Sequence, residues 1–334
     1  NKGTEDNRVR RMDYSIQMSK LFYERFINEE DITLFSPHAV PGLYDAFGTD
    51  KFDALYKKYE KDKSIPKKTI AAQELFADLL KERAETGRIY IMNIDHSNSH
   101  SSFKDKVSMS NLCQEITLPT TPIKGIDDPD GEIALCILSA INVGAIGNLN
   151  ELETLCDLSV RALDEIIELQ DYPVKAAEVS TKSRRSLGIG YIGLAHYLAK
   201  NGVKYSDPKA WELVDRLSEA FQYYLLRASC DIAEEKGKCS AFDRTKYADG
   251  LLPIDHYKKE VDEIVVHKQR MAWETLRKDI LKYGLRHSTL SAQMPSESSS
   301  VVSNETNGIE PPRALLSIKK SKKGPLKQIV PGFP

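Results

Sequence analysis

Apolar side chains recur along this chain at two spacings, one typical of helices and one typical of strands. Repeats of three to four residues place apolar side chains on one face of a helix, whereas alternation or a short apolar run indicates a strand. The helical spacing covers residues 14–28, 51–61, 69–85, 149–170, 208–236 and 273–283. Asp207 and Pro208 have the residue types of an N-cap and a first helical position, which supports the start of the fifth helix.

Short apolar or alternating runs between these helices are predicted strands. They cover residues 32–35, 88–94, 111–118, 133–143, 186–192, 289–293 and 315–318. Strands that alternate with helices favour an α/β fold with mostly parallel strands, because parallel neighbours need a long crossover that is usually helical. No repeat, low-complexity tract or linker divides the chain, so we expect residues 1–334 to be part of one domain.

Composition limits the classes of partner and compartment. The 334 residues include 47 basic and 49 acidic side chains, spread evenly, and lack the concentrated positive charge that nucleic-acid binding requires. No apolar run reaches the roughly 18 residues of a membrane helix, and the first residues are polar, so we expect a cytoplasmic protein. The five cysteines form no C-x-x-C pair, which argues against a disulfide framework or a zinc ribbon.

The sequence GIGYIG at residues 188–193 matches the G-x-G-x-x-G motif of dinucleotide-binding folds. A true motif follows a buried strand, and an acidic residue lies about 20 positions later. Here the preceding residues 183–186 are polar, and the downstream acid, Asp207, is better explained as a helix cap. We therefore favour Gly188 and Gly190 as strand residues at a close backbone approach. An NAD-dependent oxidoreductase is kept as an alternative.

Three histidines suggest further sites. Asp95, His96 and His100 have the residue types and spacing of metal ligands on a helix, but the surrounding serines and asparagines favour a solvated turn. His196 stands among apolar residues and is predicted to lie in the core or at an interface. We expect no metal site in this chain.

Chemically distinctive side chains are concentrated in SNLCQEITLP. In an extended segment successive side chains alternate between faces, so Asn111, Cys113 and Glu115 would point the same way. A thiol would then be flanked by an amide and a carboxylate. The alternative is a small buried cysteine with two solvated neighbours. A second cysteine, Cys136, lies in the apolar run GEIALCILSA and by itself would be predicted to be a core residue.

A serine-rich segment, PSESSS, occupies residues 295–300 and precedes a possible helix. Hydroxyl groups and free backbone N–H groups at a helix N-terminus can bind an anion such as phosphate. The alternative is ordinary capping of the helix by serine.

The segments NLCQEI, GEIALCILSAINVGAI and LRHSTLSAQMPSESSSVVSNETNGIEPPR together closely resemble the large catalytic subunit of class I ribonucleotide reductase. The resemblance extends through DITLFSPHAVPGLYDAF and ERAETGRIYIMNIDH and spans nearly the whole chain. It implies part of a ten-stranded α/β barrel, made of two antiparallel halves of five parallel strands, with a finger loop that carries the radical cysteine. In that family the glycine motif lies on a barrel strand, so Gly193 would be incidental and NAD binding is not implied.

By this resemblance, Cys113 becomes a thiyl radical that takes the 3'-hydrogen of a ribonucleoside diphosphate. Glu115 is the general base on the 3'-hydroxyl, Asn111 hydrogen-bonds in the same site, and Cys136 is one of two cysteines that end as a disulfide. The substrate-binding residues implied are Asn111, Leu112, Cys113, Gln114, Glu115, Pro295, Ser296, Glu297, Ser298 and Ser299.

The resemblance also implies partners and segments outside this sequence. A small subunit would supply a di-metal centre and a tyrosyl radical, thioredoxin or glutaredoxin would be the reductant, and this chain would bind no cofactor itself. The N-terminal barrel half, the sites for ATP and deoxynucleotide effectors, and the C-terminal tail match nothing here. We therefore expect a truncated or naturally split catalytic chain that is inactive alone, with a non-catalytic assembly fragment as the alternative.

Overall fold

The computed structural model describes residues 12–264, 268–321 and 324–333. The chain packs as two compact units. The first unit contains the described residues up to Ser101 together with Lys106–Leu118, and the second contains Ser102–Asp105 together with the described residues from Pro119 onward. Each unit has its own hydrophobic core.

The first unit is built from two pairs of strands and five helices. Its elements are β1 (Tyr14–Met18), α1 (Lys20–Ile27), β2 (Asp31–Phe35), α2 (Leu43–Ala46), α3 (Phe52–Lys61), β3 (Lys67–Ala71), α4 (Ala72–Thr86), β4 (Ile89–Asn93) and α5 (Ile94–Ser99). Strand β1 pairs in parallel with β4, Tyr14 opposite Ile89, whereas β2 and β3 are antiparallel. The core includes Phe22, Phe52 and Tyr56, so α1 and α3 bury their aromatic faces together.

The second unit has longer helices around a parallel strand pair. Its elements are β5 (Ile137–Asn142), α6 (Glu151–Leu169), α7 (Lys175–Arg184), β6 (Leu187–Ile192), α8 (Leu194–Lys200), α9 (Pro208–Lys236), α10 (Trp273–Tyr283), α11 (Glu297–Val302), β7 (Leu316–Ser321) and β8 (Gly324–Ile329). Strands β5 and β6 are parallel, with Ile137 opposite Leu187, and β7 and β8 form an antiparallel hairpin. Side chains from α6, α9 and α10 supply much of the core.

The long amphipathic helices agree with the sequence prediction, but two predicted helices begin as strands. Helices α9 and α10 have the predicted bounds, and α6 lies within its predicted range. The predicted helix 14–28 divides into β1 and α1, because the Ser19 side chain accepts the N–H of Phe22 and starts α1 there. The predicted helix 69–85 begins at Ala72, since residues 67–71 pair with β2 instead.

Several predictions about strands are wrong, because strand pairing depends on distant parts of the chain. Residues 111–118 and 289–293 are not strands, apart from a single bridge between Ser291 and Ile189. In the described ranges two of the four strand pairs are antiparallel, so the strands there are not mostly parallel. The mixed α/β class is confirmed. Within the described residues the sheets are two-stranded and form no closed barrel.

A buried charged cluster joins several elements of the second unit. Asp164 on α6 is 1% exposed, and its Oδ1 accepts hydrogen bonds from Arg185 Nη2 at 2.5 Å, His287 Nε2 at 3.1 Å and Arg286 Nε at 3.2 Å. The Ser229 hydroxyl of α9 lies 2.9 Å from His287 Nδ1. Burial opposes ionisation of Asp164, but the hydrogen bond from His287 and the charged guanidinium of Arg185 outweigh it and hold the pKa of Asp164 well below its usual range. Because a carboxylate only accepts, Nε2 of His287 carries its proton.

Acid should weaken this cluster. Burial lowers the pKa of His287 from 6.5 to about 4, so between these values the unfolded chain binds a proton that the folded chain excludes. Stability is therefore full above pH 6.5 and is lost as the pH falls towards about 4, by roughly 3 kcal/mol. Urea-unfolding midpoints measured across this window should fall with pH. The midpoint should depend on pH in the same way in His96→Gln, a change at an exposed histidine, and should depend less on pH in His287→Gln. A midpoint that does not change with pH in the unsubstituted chain would contradict the prediction.

Candidate functional site

Residues 110–116 form a closed turn that carries Cys113, here called the cysteine turn. The N–H of Asn111 donates to the Ile116 carbonyl at 3.1 Å, and the N–H of Gln114 donates to the Asn111 carbonyl at 3.2 Å. Gln114 has a φ of +65°, in the left-handed region. The backbone therefore reverses direction within the turn, and the prediction of an extended segment with alternating faces is wrong.

The turn nevertheless brings the predicted amide and carboxylate together. Asn111 Nδ2 donates to Glu115 Oε1 at 2.6 Å, while Asn111 Oδ1 accepts the N–H of Ile116 at 3.1 Å. The other carboxylate oxygen of Glu115, Oε2, is shielded from solvent and has no hydrogen-bond partner in the described part of the chain. The site therefore holds a carboxylate oxygen with unused accepting capacity, oriented by a neighbouring amide.

The Cys113 side chain is exposed, as is that of Leu112. Partial desolvation, together with the negative charges of Glu115 and Asp13, raises the pKa of the Cys113 thiol above its ordinary value. The group is consequently a protonated thiol at neutral pH, with an S–H bond from which a hydrogen atom can be removed. The setting is opposite to that of a nucleophilic cysteine, whose pKa is lowered by nearby positive charge.

Cys136 lies in the second unit, immediately before β5, and its sulfur forms no disulfide with another described cysteine. It is half-buried, so its prediction as a core residue is wrong: it stands at the start of the strand, beside a glycine of β6, rather than beneath the helices. A Cβ atom added at Gly188 would lie 2.7 Å from Cys136 Sγ and 2.6 Å from Leu138 Cδ2. The missing side chain at Gly188 therefore makes room for the thiol.

Residues 295–299, here called the serine loop, include the N-cap and the first three residues of the short helix α11. Ser296 is buried and stands at the N-cap, but its side chain makes no capping hydrogen bond; its hydroxyl donates to Asn307 Oδ1 at 3.3 Å. Ordinary serine capping is therefore not what this residue does. Pro295, Ser298 and Ser299 are exposed, and so is Glu297.

A cavity of about 240 Å³ adjoins the serine loop in the second unit. Its lining includes Glu297 of the loop, Asn307 and the guanidinium-bearing Arg313. The cavity therefore combines hydrogen-bonding groups with both signs of charge, whereas Ser298 and Ser299 are not among its lining residues.

The serine loop is connected to β6 by residues 289–294, which run alongside that strand. Ile189 donates its N–H to the Leu290 carbonyl at 2.8 Å, and Ala292 donates to the Ile189 carbonyl at 3.2 Å. A Cβ atom at Gly190 would lie 2.4 Å from the Ala292 carbonyl oxygen. Gly188 and Gly190 are thus strand residues that other atoms approach closely, as predicted. Strand β6 therefore contacts both Cys136, at Gly188, and the segment that leads to the serine loop, at Gly190.

The third glycine of the motif has a structural role, and the expectation that it is incidental is wrong. Gly193 has a φ of +84° at the start of α8, and an added Cβ would lie 2.8 Å from the backbone nitrogen of Gly144. The N–H groups of Gly193 and Leu194 donate to the carbonyls of Thr306 and Gly308. Because neighbouring backbone already uses these donors, the start of α8 does not offer them to a pyrophosphate.

The histidine segments form no metal centre in the part of the chain that the structure describes. His96 and His100 lie in and just after the short helix α5, rather than in a turn, with their ring centroids 5.8 Å apart. His196 is half-buried, and its Nδ1 lies 2.9 Å from Glu305 Oε2. Among the described residues, no helix is both long enough and apolar enough to cross a membrane.

Comparison with known proteins identifies the family of this chain. The family model for the ribonucleotide reductase barrel domain matches residues 1–334. Ribonucleoside-diphosphate reductase alpha subunits from Haemophilus influenzae and Escherichia coli are 58% and 56% identical to this chain over 338 positions, and that of phage T4 is 45% identical over 341.

These matches cover the whole of this chain but only 44–45% of each relative, so the chain spans less than half the length of the curated relatives it matches. The likeness of sequence is continuous across both units, including the cysteine turn, the segment around Cys136 and the serine loop. This chain belongs to the ribonucleotide reductase barrel domain family.

Proposed function

We propose that this chain is the catalytic region of a ribonucleoside-diphosphate reductase large subunit, which converts ribonucleoside diphosphates to 2'-deoxyribonucleoside diphosphates. One observation carries the proposal: a protonated, exposed thiol at Cys113 lies in the same turn as the Asn111–Glu115 pair, which has one unused carboxylate oxygen. A hydrogen-atom carrier and a proton acceptor in one turn suit radical chemistry at a C–H bond that also bears a hydroxyl group.

In the proposed reaction, Cys113 loses a hydrogen atom and its thiyl radical removes the 3'-hydrogen of the substrate. Glu115 Oε2 accepts the proton of the 3'-hydroxyl, while the bond from Asn111 orients the carboxylate through its other oxygen. Loss of the 2'-hydroxyl as water becomes feasible once the radical is at the neighbouring carbon. Two thiols supply the two hydrogens of this reduction: one leaves in the water, the other ends on the 2'-carbon, and the thiols become a disulfide. Cys113 then returns its hydrogen atom to the 3'-carbon, which restores the thiyl radical.

Cys136 is proposed to be one of these two thiols, and its partner would come from a part of the large subunit outside this chain. Because Gly188 has no side chain, the sulfur of Cys136 fits beside it at the start of β5. Cys136 is half-buried there, rather than enclosed in the core. A thiol that must form and break a disulfide needs such access. The buried Cys156, Cys230 and Cys239 lack it.

The serine loop is proposed to bind the substrate's phosphates. Its exposed Ser298 and Ser299 lie in the first turn of α11, where backbone N–H groups have no intrahelical acceptor. Hydroxyl and N–H donors together suit a diphosphate. Residues 111–115 of the first unit are separately proposed to contact the substrate's sugar.

The proposed partners follow the same assignment. A small subunit would generate the radical with its di-metal centre and tyrosyl radical, the remaining segments of the large subunit would complete the ten-stranded barrel, and thioredoxin or glutaredoxin would restore the thiols. The cysteine turn would occupy the finger loop of that barrel. ATP and deoxynucleotide effectors would bind outside this chain, and the assembly would work in the cytoplasm.

A chimaera tests the proposal. Residues 1–334 replace the matching region of the Haemophilus influenzae large subunit, which is 58% identical. The chimaeric large subunit is then combined with the small subunit of that relative, thioredoxin, a thioredoxin-reducing system and cytidine diphosphate. We expect deoxycytidine diphosphate to form. Correct assembly without product would contradict the proposal and favour a non-catalytic assembly role.

Substitution of the serine loop should weaken substrate binding. In the chimaeric large subunit, Ser298→Ala with Ser299→Ala removes donors to a charged group, each worth about 1.5–3 kcal/mol. We expect KM for the diphosphate to rise by at least about tenfold, since 1.4 kcal/mol is a factor of ten. The control is Ser303→Ala, an exposed serine at the other end of α11. An unchanged KM in the double variant would exclude the loop as the phosphate site.

A further inference from the structure

We propose that Gln114 and Ser15 are positioning residues, which hold the cysteine turn on strand β1 so that Cys113 stays beside Glu115. The inference rests on the proposed function and extends it to two side chains outside the reacting groups. Gln114 Nε2 donates to the Ser15 hydroxyl oxygen, across 99 positions of sequence within the first unit.

Strand β1 is a fixed support for such a bond. It pairs in parallel with β4 along its whole length, and Ser15 lies opposite Tyr90. A side chain bonded to Ser15 is therefore tied to a hydrogen-bonded strand pair rather than to another loop. Without a partner of this kind, a turn in which Asn111, Leu112 and Cys113 are all exposed has little to restrict its movement.

A second bond from the same strand supports this role. Gln17 Nε2 donates to the Ser108 carbonyl at 2.7 Å, just before the cysteine turn. Residues 15 and 17 of a strand lie on the same face. One face of β1 therefore bonds to two places: Gln17 bonds to Ser108, just before the cysteine turn, and Ser15 bonds to Gln114 within the turn.

The backbone of Gln114 shows why the turn needs support. Its φ of +65° lies in the left-handed region, which residues with a Cβ disfavour. Such a conformation persists when surrounding contacts fix it. Gln114 is held by its N–H bond to the Asn111 carbonyl and by its side-chain bond to Ser15. Loss of the second would release the turn towards ordinary backbone conformations, which move Cys113 relative to Glu115.

The first readout is turnover in the chimaeric large subunit. Gln114→Leu keeps the size of the side chain but removes its donor, and Ser15→Ala removes the acceptor. Each should lower kcat about fivefold, the scale of one lost neutral hydrogen bond. Ser15→Ala, which lies outside the proposed substrate-binding residues, should do so with KM for the diphosphate unchanged. The double variant should be no slower than either single one, because both changes remove the same bond. Ser15→Thr, which keeps the hydroxyl group, should restore kcat, and Gln73→Leu on the exposed surface of α4 is the matched control.

The second readout does not depend on catalysis. Alkylation of the exposed Cys113 by iodoacetamide, followed at fixed pH through the mass of its peptide, should accelerate in Gln114→Leu and Ser15→Ala, because the thiol leaves the carboxylate of Glu115. It should not change in Gln73→Leu. A kcat or an alkylation rate in Gln114→Leu equal to that of the unsubstituted protein would overturn the inference. If turnover does not depend on Cys113, the proposed function fails, and the alkylation rates alone decide whether Gln114 positions the thiol.

Discussion

Cys113→Ser should abolish deoxynucleotide formation by the chimaeric large subunit. A serine hydroxyl has nearly the size of the thiol, but its O–H bond is too strong to be broken by the incoming radical, so no substrate radical forms. Removal of a group that reacts covalently typically costs at least about 10³-fold in kcat. The measurement is the initial rate of deoxycytidine diphosphate formation at saturating substrate.

The matched control lies in the same turn. Ser110→Ala removes a hydroxyl that donates to the Asn111 carbonyl at 3.0 Å, so it alters the cysteine turn without touching the thiol. This variant should keep a rate within a few-fold of the unsubstituted protein. Substantial turnover in Cys113→Ser would show that another residue carries the radical, and would remove Cys113 from the mechanism.

Asp164→Ala should destabilise the second unit by about 3–5 kcal/mol, the typical cost of breaking a buried ion pair. The side chain of Asp164 is 2% exposed, and its loss leaves the guanidinium of Arg185, which is 4% exposed, with Glu168 as its remaining ion-pair partner. It also removes the acceptor for His287 Nε2. Urea unfolding of the chimaeric large subunit, followed by a probe in α9, should show the lower midpoint.

Helix α6 offers a control for this substitution. Asp157 forms an ion pair with Arg161 at 2.9 Å, but both side chains are more than a third exposed. Water screens such a pair, so Asp157→Ala should cost less than about 1 kcal/mol. Equal losses from the two aspartates would contradict the view that the Asp164 cluster is a buried structural element of the fold.

Local sequence patterns predict the long helices well and the strands poorly. Helix α9 has Pro208 at its first position and a continuous apolar stripe, both of which act within the helix itself. Asp207 occupies the N-cap position, but its side chain makes no capping hydrogen bond and instead accepts the N–H of Lys204 at 2.8 Å. Strand β1 was predicted as helix because its partner, β4, lies about 75 positions away and contributes nothing to a local pattern. The same limitation explains why strand order and barrel closure do not follow from periodicity.

The sequence predicts which residues belong to the candidate site, but not how they are arranged in space. Asn111 and Glu115 do meet, but through a turn whose positive φ at Gln114 no residue-type preference indicates. Gly188 and Gly190 follow the expected rule for glycine in strands, whereas the need for a positive φ at Gly193 was missed. The bond from Gln114 to Ser15 could not be predicted, because its two residues come together only in the folded first unit.

A single turnover without external reductant tests the central claim most directly. In a chimaeric large subunit whose C-terminal tail cysteines are replaced by serine, substrate and small subunit are added, and Cys136 is then probed by alkylation and peptide mass. The account predicts a stoichiometric amount of deoxycytidine diphosphate, with Cys136 protected from alkylation as a disulfide, and neither product nor protection in Cys113→Ser. Product formation with Cys136 still fully alkylated would contradict it.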